Sequence, residues 1–204
     1  MQLLKFDEIN KYQTFVTWIE AMPVSEVMEQ KWEIRDKVWD LLEYLYVLGF
    51  KDAREEVGVI AEDVATFLPP DYMEQKWDSI YKRYDGLDFS DRVLAYAEMG
   101  DIPSIVRVAE TDGHRVYNDG GYVGAKGFAQ SKTWHTMLDE KVRDTHDYLE
   151  GMTVGIDERF YTFDGDSALY PGDFSFPQNV INCRCVISYN SKTEGTVNAK
   201  QREL

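Results

Sequence analysis

The sequence predicts an α+β protein, with a helical N-terminal half followed by a small mixed α/β C-terminal domain. Three observations carry this. Apolar residues recur at helical spacing through much of residues 7–101. Glycines and turn dipeptides accumulate after Pro103. The run Cys183-Arg-Cys-Val-Ile-Ser-Tyr189, near the end, has the composition of a strand. The expected organisation is an acidic helical region over residues 1–101, a mixed domain over 102–190 and a polar tail over 191–204.

Each element follows from local pattern. Asp7 can cap a short helix that carries Ile9, Phe15, Val16 and Ile19 and stops before Pro23. Ser25 opens a stronger helix, in which Ile34, Val38, Leu41, Leu42, Leu45 and Leu48 form one apolar face until Gly49 interrupts it. Residues 55–67 predict a third helix, closed by Pro69-Pro70. Further helices are expected from Tyr72 to about Arg83 and from Ser90 to Met99, with a turn at Asp85-Gly86 between them. The pentapeptide Met28-Glu-Gln-Lys-Trp32 recurs as Met73-Glu-Gln-Lys-Trp77. The match extends no further, and two copies are fewer than a solenoid needs.

Past Pro103 the apolar spacing stays helical from Ile105 to about Phe128, but that stretch holds Gly113, Gly120, Gly121, Gly124 and Gly127. Each interior glycine costs about 1 kcal/mol relative to alanine. Such a helix must be held by packing, and its glycines suit a close approach to a neighbour. Lys132–Met137 then predicts a strand, Asp139–Leu149 contains a short helical piece, and Gly151 ends it. Asp164-Gly165, Pro171-Gly172 and Pro177 punctuate an irregular stretch before the final strand.

Composition narrows the function classes. Hydrophobic residues make up 44% and aromatics 14% of the 204 residues, which excludes a chain too polar to bury a core. The formal charge is −15, with 11 Lys and Arg against 22 Asp and Glu in residues 1–101 and 11 against 15 in the rest. Coating duplex DNA requires Lys and Arg to displace condensed counterions, so bulk DNA coating is excluded, while a local basic patch is compatible. No signal-like N-terminus and no long apolar run appear, so neither export nor a membrane span is expected. Cys183 and Cys185 are too close in sequence to act as a staple, which fits a reducing compartment.

One ordered constellation stands out in the second half. Arg107-x-x-Glu110 precedes Arg115 and Asn118. Trp134-x-Thr136 leads to Asp139-x-x-Val142-Arg143-x-x-His146, then Gly151, Glu158-Arg-Phe160 and a closing Asn182-Cys183-Arg184-Cys185. Order and spacing together resemble the phage Mu F-like head-morphogenesis family over about residues 102–189. Val108-Ala109 stands where the family's Arg-Thr-Glu helix has threonine, and Val180-Ile181, not His-Pro, precedes Asn182.

Taken as chemistry, two cysteines at i and i+2 project to one side of a strand, and His146 with Asp139 offers two further ligands. A zinc site of Cys183, Cys185, His146 and Asp139 is one reading. The other is a pair of thiols packed as small apolar groups beside a hydrogen-bonded histidine, favoured by the lack of a second Cys pair. A cysteine nucleophile with His146 as base and Asp139 behind it uses the same residues, but no helix N-terminus or glycine loop is placed to activate a thiol or hold an oxyanion. Asp139 and Arg143 are expected to pair as charges, with Trp134 as a core anchor. Gly120-Gly121-Tyr-Val-Gly124 lacks the Lys-Ser/Thr of a phosphate loop, and Asp164-Gly165-Asp166 lacks the remaining ligands of a calcium loop.

The resemblance implies a phage minor head protein without enzymatic activity. It would join procapsid assembly, associate with the portal and other head proteins, and contact packaged or ejected DNA at most locally. Its location would be the capsid interior of the virion, after synthesis in the bacterial cytoplasm. Two other classes stay open. One is an effector enzyme of the nuclease-like toxin type, although only 19 residues follow Cys185 and no effector domain is expected behind it. The other is a zinc-stabilised binding adaptor.

Overall fold

The computed structural model describes residues 9–59, 80–81 and 86–191. Its elements are α1 (Asn10–Glu20), α2 (Val24–Val27), α3 (Lys31–Glu56), α4 (Phe89–Glu98), α5 (Ile102–Ala125), β1 (Ala129–His135), α6 (Asp144–Asp147), β2 (Thr153–Gly155), β3 (Phe160–Tyr161), β4 (Ser167–Ala168), α7 (Pro177–Val180) and β5 (Val186–Ser191). The architecture is α+β, with helices first and a small antiparallel sheet after them. The expected helix over 55–67 beyond Val59, most of the one over 72–83, and the second Met-Glu-Gln-Lys-Trp copy lie outside the described residues. No helix among the described residues is long and apolar enough to cross a membrane.

The apolar face of α3 is the one its spacing predicts: Ile34, Val38, Leu41, Leu42 and Leu45 are fully buried. The helix does not end at Gly49. It continues to Glu56 and closes on Gly58 (φ +76°), where the Gly58 N–H donates to Glu55 O and the Val59 N–H to Arg54 O. Gly49 has another use. A Cβ there would lie 2.0 Å from Tyr117 O on α5, and a Cβ on Gly120 would lie 2.1 Å from Tyr46 O on α3. The two helices touch backbone to backbone at Gly49, Gly120 and Gly124, whereas Gly127, expected inside the helix, lies beyond its end at φ +91°. Its start is secured by Asp101, which accepts from the Ser104 N–H at 3.1 Å.

Two apolar cores share these long helices. In the first, α1, α3, α4 and the N-terminal part of α5 enclose Phe15, Ile19, Leu41, Phe89, Val93 and Ile105. The second gathers Ala53 and Val57 of α3, Tyr122 and Ala125 of α5, and Trp134, Phe160, Phe174 and Ile187 from the sheet and loops. The expected boundary at 101/102 falls at the turn between α4 and α5, yet α5 packs along α3 and reaches into both cores.

The main sheet has the order β2-β1-β5, all antiparallel, with Lys132 opposite Val154 on one side and Tyr189 on the other. β3 and β4 form a separate hairpin. The final strand starts at Val186, later than its composition suggests, because Cys183–Cys185 is held by α5 and not by a sheet neighbour. The helical piece expected over 139–149 shrinks to the single turn α6. Asp139 folds its own segment into a turn by accepting the Lys141 N–H at its side chain and the Val142 N–H at its carbonyl.

Candidate metal centre

His146, Cys183 and Cys185 meet beneath α6, all three buried. His146 is placed by α6, whose own N–H donates to Arg143 O at 2.9 Å. The cysteines are placed by α5: Thr111 Oγ1 accepts from the Asn182 N–H at 3.2 Å, and the Asn118 amide donates to Cys185 O at 3.0 Å. Asn182, immediately before the first cysteine, has φ +58°, a left-handed conformation that asparagine tolerates better than most residues. The two cysteine side chains turn inward, while Arg184 turns outward to Asp139.

The imidazole Nδ1 lies 3.5 Å from both Sγ atoms, and the three potential ligand atoms all lie within 4.8 Å of one another. It is the one such group among the described residues. A tetrahedral zinc with Zn–S and Zn–N bonds of ordinary length has an N···S edge of about 3.5 Å. A neutral Nδ1 offers one in-plane lone pair, which serves a single S–H well and two S–H groups badly. The donor set and its spacing therefore fit one soft metal ion. Phe174 stacks on the ring at 5.2 Å and Trp134 meets it edge-on at 5.5 Å, while Nε2 is buried without a hydrogen-bond partner.

The two thiols are shifted in opposite directions. The hydrogen bond from Cys185, against the cost of burial and with help from His146, holds Cys183 well below the usual thiol range. Its bond to Cys183 and its burial push Cys185 well above that range. The Trp134 indole N–H meets no acceptor at ordinary hydrogen-bond distance, but it faces Cys185 and opposes that rise. One of the two sulfurs is thus already disposed to be a thiolate, the form that binds metal.

Asp139 is not brought to this group. Both its oxygens lie 2.7 Å from the Arg184 guanidinium, which holds the carboxyl at about 2. The expected partner, Arg143, instead donates to Ile181 O at 2.5 Å. The carboxylate that a Cys–His–Asp triad needs is likewise absent from His146, whose Nε2 faces none. Trp134 is fully buried against Phe160 and Phe174. Arg107 lies elsewhere: it donates to Ser104 Oγ at 3.1 Å and lines a cleft of about 300 Å³ with Arg92, Tyr96, Thr111 and Ile181. Glu110 is half-buried on α5, and its charge acts on Arg184.

Thr111 and Phe174 escaped the sequence pattern. Thr111 does lie seven residues before Asn118, two turns along one face of α5, and that spacing could have signalled a shared partner. Phe174 sits in an irregular stretch with no period to mark it. That stretch is organised by Asp166, whose carboxylate accepts from the Ser167, Ser175 and Phe176 N–H groups and from Asn179. Burial works against its charge, but these donors outweigh it and hold its pKa low. Asp164-Gly165-Asp166 is turn chemistry, as expected, with Gly165 at φ +88°.

The family described as phage Mu protein F like protein matches residues 84–188, slightly more than half of the chain. The minor head protein GP7 of Bacillus phage SPP1 is 33% identical over 85 residues, covering 40% of this chain and 28% of that protein. The NAD(+)–arginine ADP-ribosyltransferase EFV of Enterococcus faecalis is 38% identical over 85 residues, covering 39% of this chain and 17% of that protein. The match takes in less than a third of either relative. No solved structure matches the chain.

Proposed function

This chain belongs to the phage Mu protein F-like family, and on that premise we propose that it is a minor head protein of a tailed phage that acts in procapsid assembly through the portal and other head proteins. The observation that carries the proposal is the position of the family match. It spans α4, α5, β1 to β4, the first half of β5 and the whole His146–Cys183–Cys185 group. The similarity to a minor head protein supports the same reading. The activity in the other relative's name is not carried over, because the match takes in 17% of that protein.

Contact with DNA in this reading is local, since the chain carries −15 and self-repulsion opposes coating of a polyanion. The His146–Cys183–Cys185 group is proposed to hold zinc. When bound, zinc supplies a cross-link between α6 and the segment leading into β5, and its binding free energy then counts toward folding. The chain's own residues preform that site: Asn118 and Thr111 hold the cysteine segment, and Phe174 and Trp134 fix the imidazole plane.

The test is co-elution of the purified chain with the portal protein encoded by the same phage, together with mass-spectrometric analysis of purified heads. A stable complex and a few copies per head are expected. Absence from heads, with no binding to portal or capsid protein, overturns the proposal. Native mass spectrometry of the same sample is expected to show one zinc, lost in Cys183→Ser and His146→Ala.

A further inference from the structure

We propose that the zinc centre takes only three ligands from this chain and keeps its fourth position for a small exchangeable anion, entering between Lys141, Arg143 and Arg184. This inference rests on the zinc reading above and adds to it the openness and the ligand class of the site.

Ligand supply is the first argument. The chain has three histidines and two cysteines. His135 is engaged elsewhere, with Nε2 2.8 Å from Ser188 Oγ and Nδ1 3.7 Å from Glu150. His114 lies on α5 and is not one of the convergent ligands. No carboxylate of the described residues joins them, and the nearest sequence candidate, Asp139, has both oxygens committed to Arg184. A closed structural site needs a fourth protein donor, whereas a site with three protein ligands keeps one position for a small molecule.

The opening is the second. A cavity of about 10 Å³ lies directly over His146, Cys183 and Cys185, with Lys141, Arg143 and Arg184 around it. That volume suits one water-sized donor atom. It excludes a bulky side chain but admits hydroxide, azide or a single oxygen of phosphate.

Charge is the third. Zinc with two thiolates and a neutral imidazole sums to zero, so the centre itself does not repel an anion. Lys141, Arg143 and Arg184 line the opening and no acidic residue does; Arg184 is already paired with Asp139, which leaves Lys141 and Arg143 as the cations that face an anion. Arg143 spends one guanidinium nitrogen on Ile181 O and keeps Nη1 buried without a hydrogen-bond partner. A buried cationic N–H without an acceptor is costly, and an anion on the fourth position would satisfy it.

The experiment loads the full chain with Co²⁺ in place of zinc and follows its visible absorption while azide, and separately inorganic phosphate, is added. Tetrahedral cobalt–thiolate bands that shift saturably with each anion are expected. Arg143→Met should weaken the apparent affinity about tenfold, the equivalent of one charge-assisted hydrogen bond. Lys141→Gln, an exposed position, gives a second variant with little risk to folding and a smaller weakening in the same direction. Failure to form thiolate bands overturns the zinc reading and this inference with it. Thiolate bands that neither anion moves leave the zinc reading standing and overturn the open position. Equal anion affinity in wild type and both variants overturns the role of the cationic rim.

Discussion

Asn118 divides the two N–H bonds of its side-chain amide between His114 O, 2.8 Å away in its own helix, and Cys185 O, 3.0 Å away and 67 residues on. Through it α5 sets the position of Cys185 in the His146–Cys183–Cys185 group. Asn118 is 2% exposed, so neither acceptor has water as a substitute. Replacing it with Leu keeps the volume and removes both donors, which should cost about 1–3 kcal/mol for the orphaned carbonyl of Cys185. Urea unfolding with and without zinc measures this, and the loss should be larger with zinc present. An unchanged midpoint in both conditions contradicts the clamp.

Trp134 anchors the second core against Phe160, Phe174 and His146, with ring centroids 5.1, 5.7 and 5.5 Å away. It is fully buried. Trp134→Ala should therefore cost about 3–5 kcal/mol, the range for deleting a large buried aromatic. Because the same indole borders the ring of His146, zinc affinity should fall in parallel. Thermal melting and a zinc-chelator competition report the two effects, and a wild-type melt would remove Trp134 from the core.

The contact of α3 with α5 gives a sharper test, since it depends on one missing atom. Gly49→Ala places a Cβ 2.0 Å from a backbone carbonyl that cannot rotate away, so the helices must separate. Overpacking of this kind costs about 1–3 kcal/mol or more, even though alanine is the better helix former by about 1 kcal/mol. The sign is the prediction: an exposed helical glycine would gain stability from the same change. Denaturant midpoints decide it, and a stabilised Gly49→Ala variant would show that the close approach is wrong.

What the sequence could show divides along the distance over which each residue's role is decided. The face Ile34–Val38–Leu41–Leu45 is local, set by a 3.6-residue period, and the fold uses it unchanged. Gly49 looks like a stop because glycine ends helices, but its role is decided by Tyr117 on another helix. Cys183 and Cys185 could be paired from their i, i+2 spacing, and His146 from the chemistry of the set. Asp139 could not be placed the same way. It has two candidate partners in sequence, and the turn into β5 brings Arg184 to it, leaving Arg143 to Ile181. Lys132 was expected only to lie in a strand, and nothing in its neighbours signals that it is fully buried.

That lysine carries the last prediction. Its Nζ donates to Ile156 O at 2.6 Å and lies over the rings of Tyr122 and Phe160, at 4.9 and 5.6 Å from their centroids. Burial outweighs the carboxylate of Asp157 and lowers its pKa from an ordinary 10.5 to about 8. Between those values the unfolded chain binds a proton that the folded one has released, so stability should rise with pH through the window from about 8 to 10.5. The gain is at most roughly 3 kcal/mol, reduced by whatever the carbonyl and the two rings already return to the charged form. From about pH 10 the buried tyrosines Tyr170 and Tyr189 work the other way, because burial raises both and the folded chain then holds protons the unfolded one loses. The comparison that isolates Lys132 is Lys132→Met, which keeps the length and removes the charge. Its unfolding free energy, measured beside wild type from pH 7 to 10, should lack the rise. Parallel curves for the two proteins would mean that Lys132 titrates as it does in water and that its burial carries no electrostatic cost.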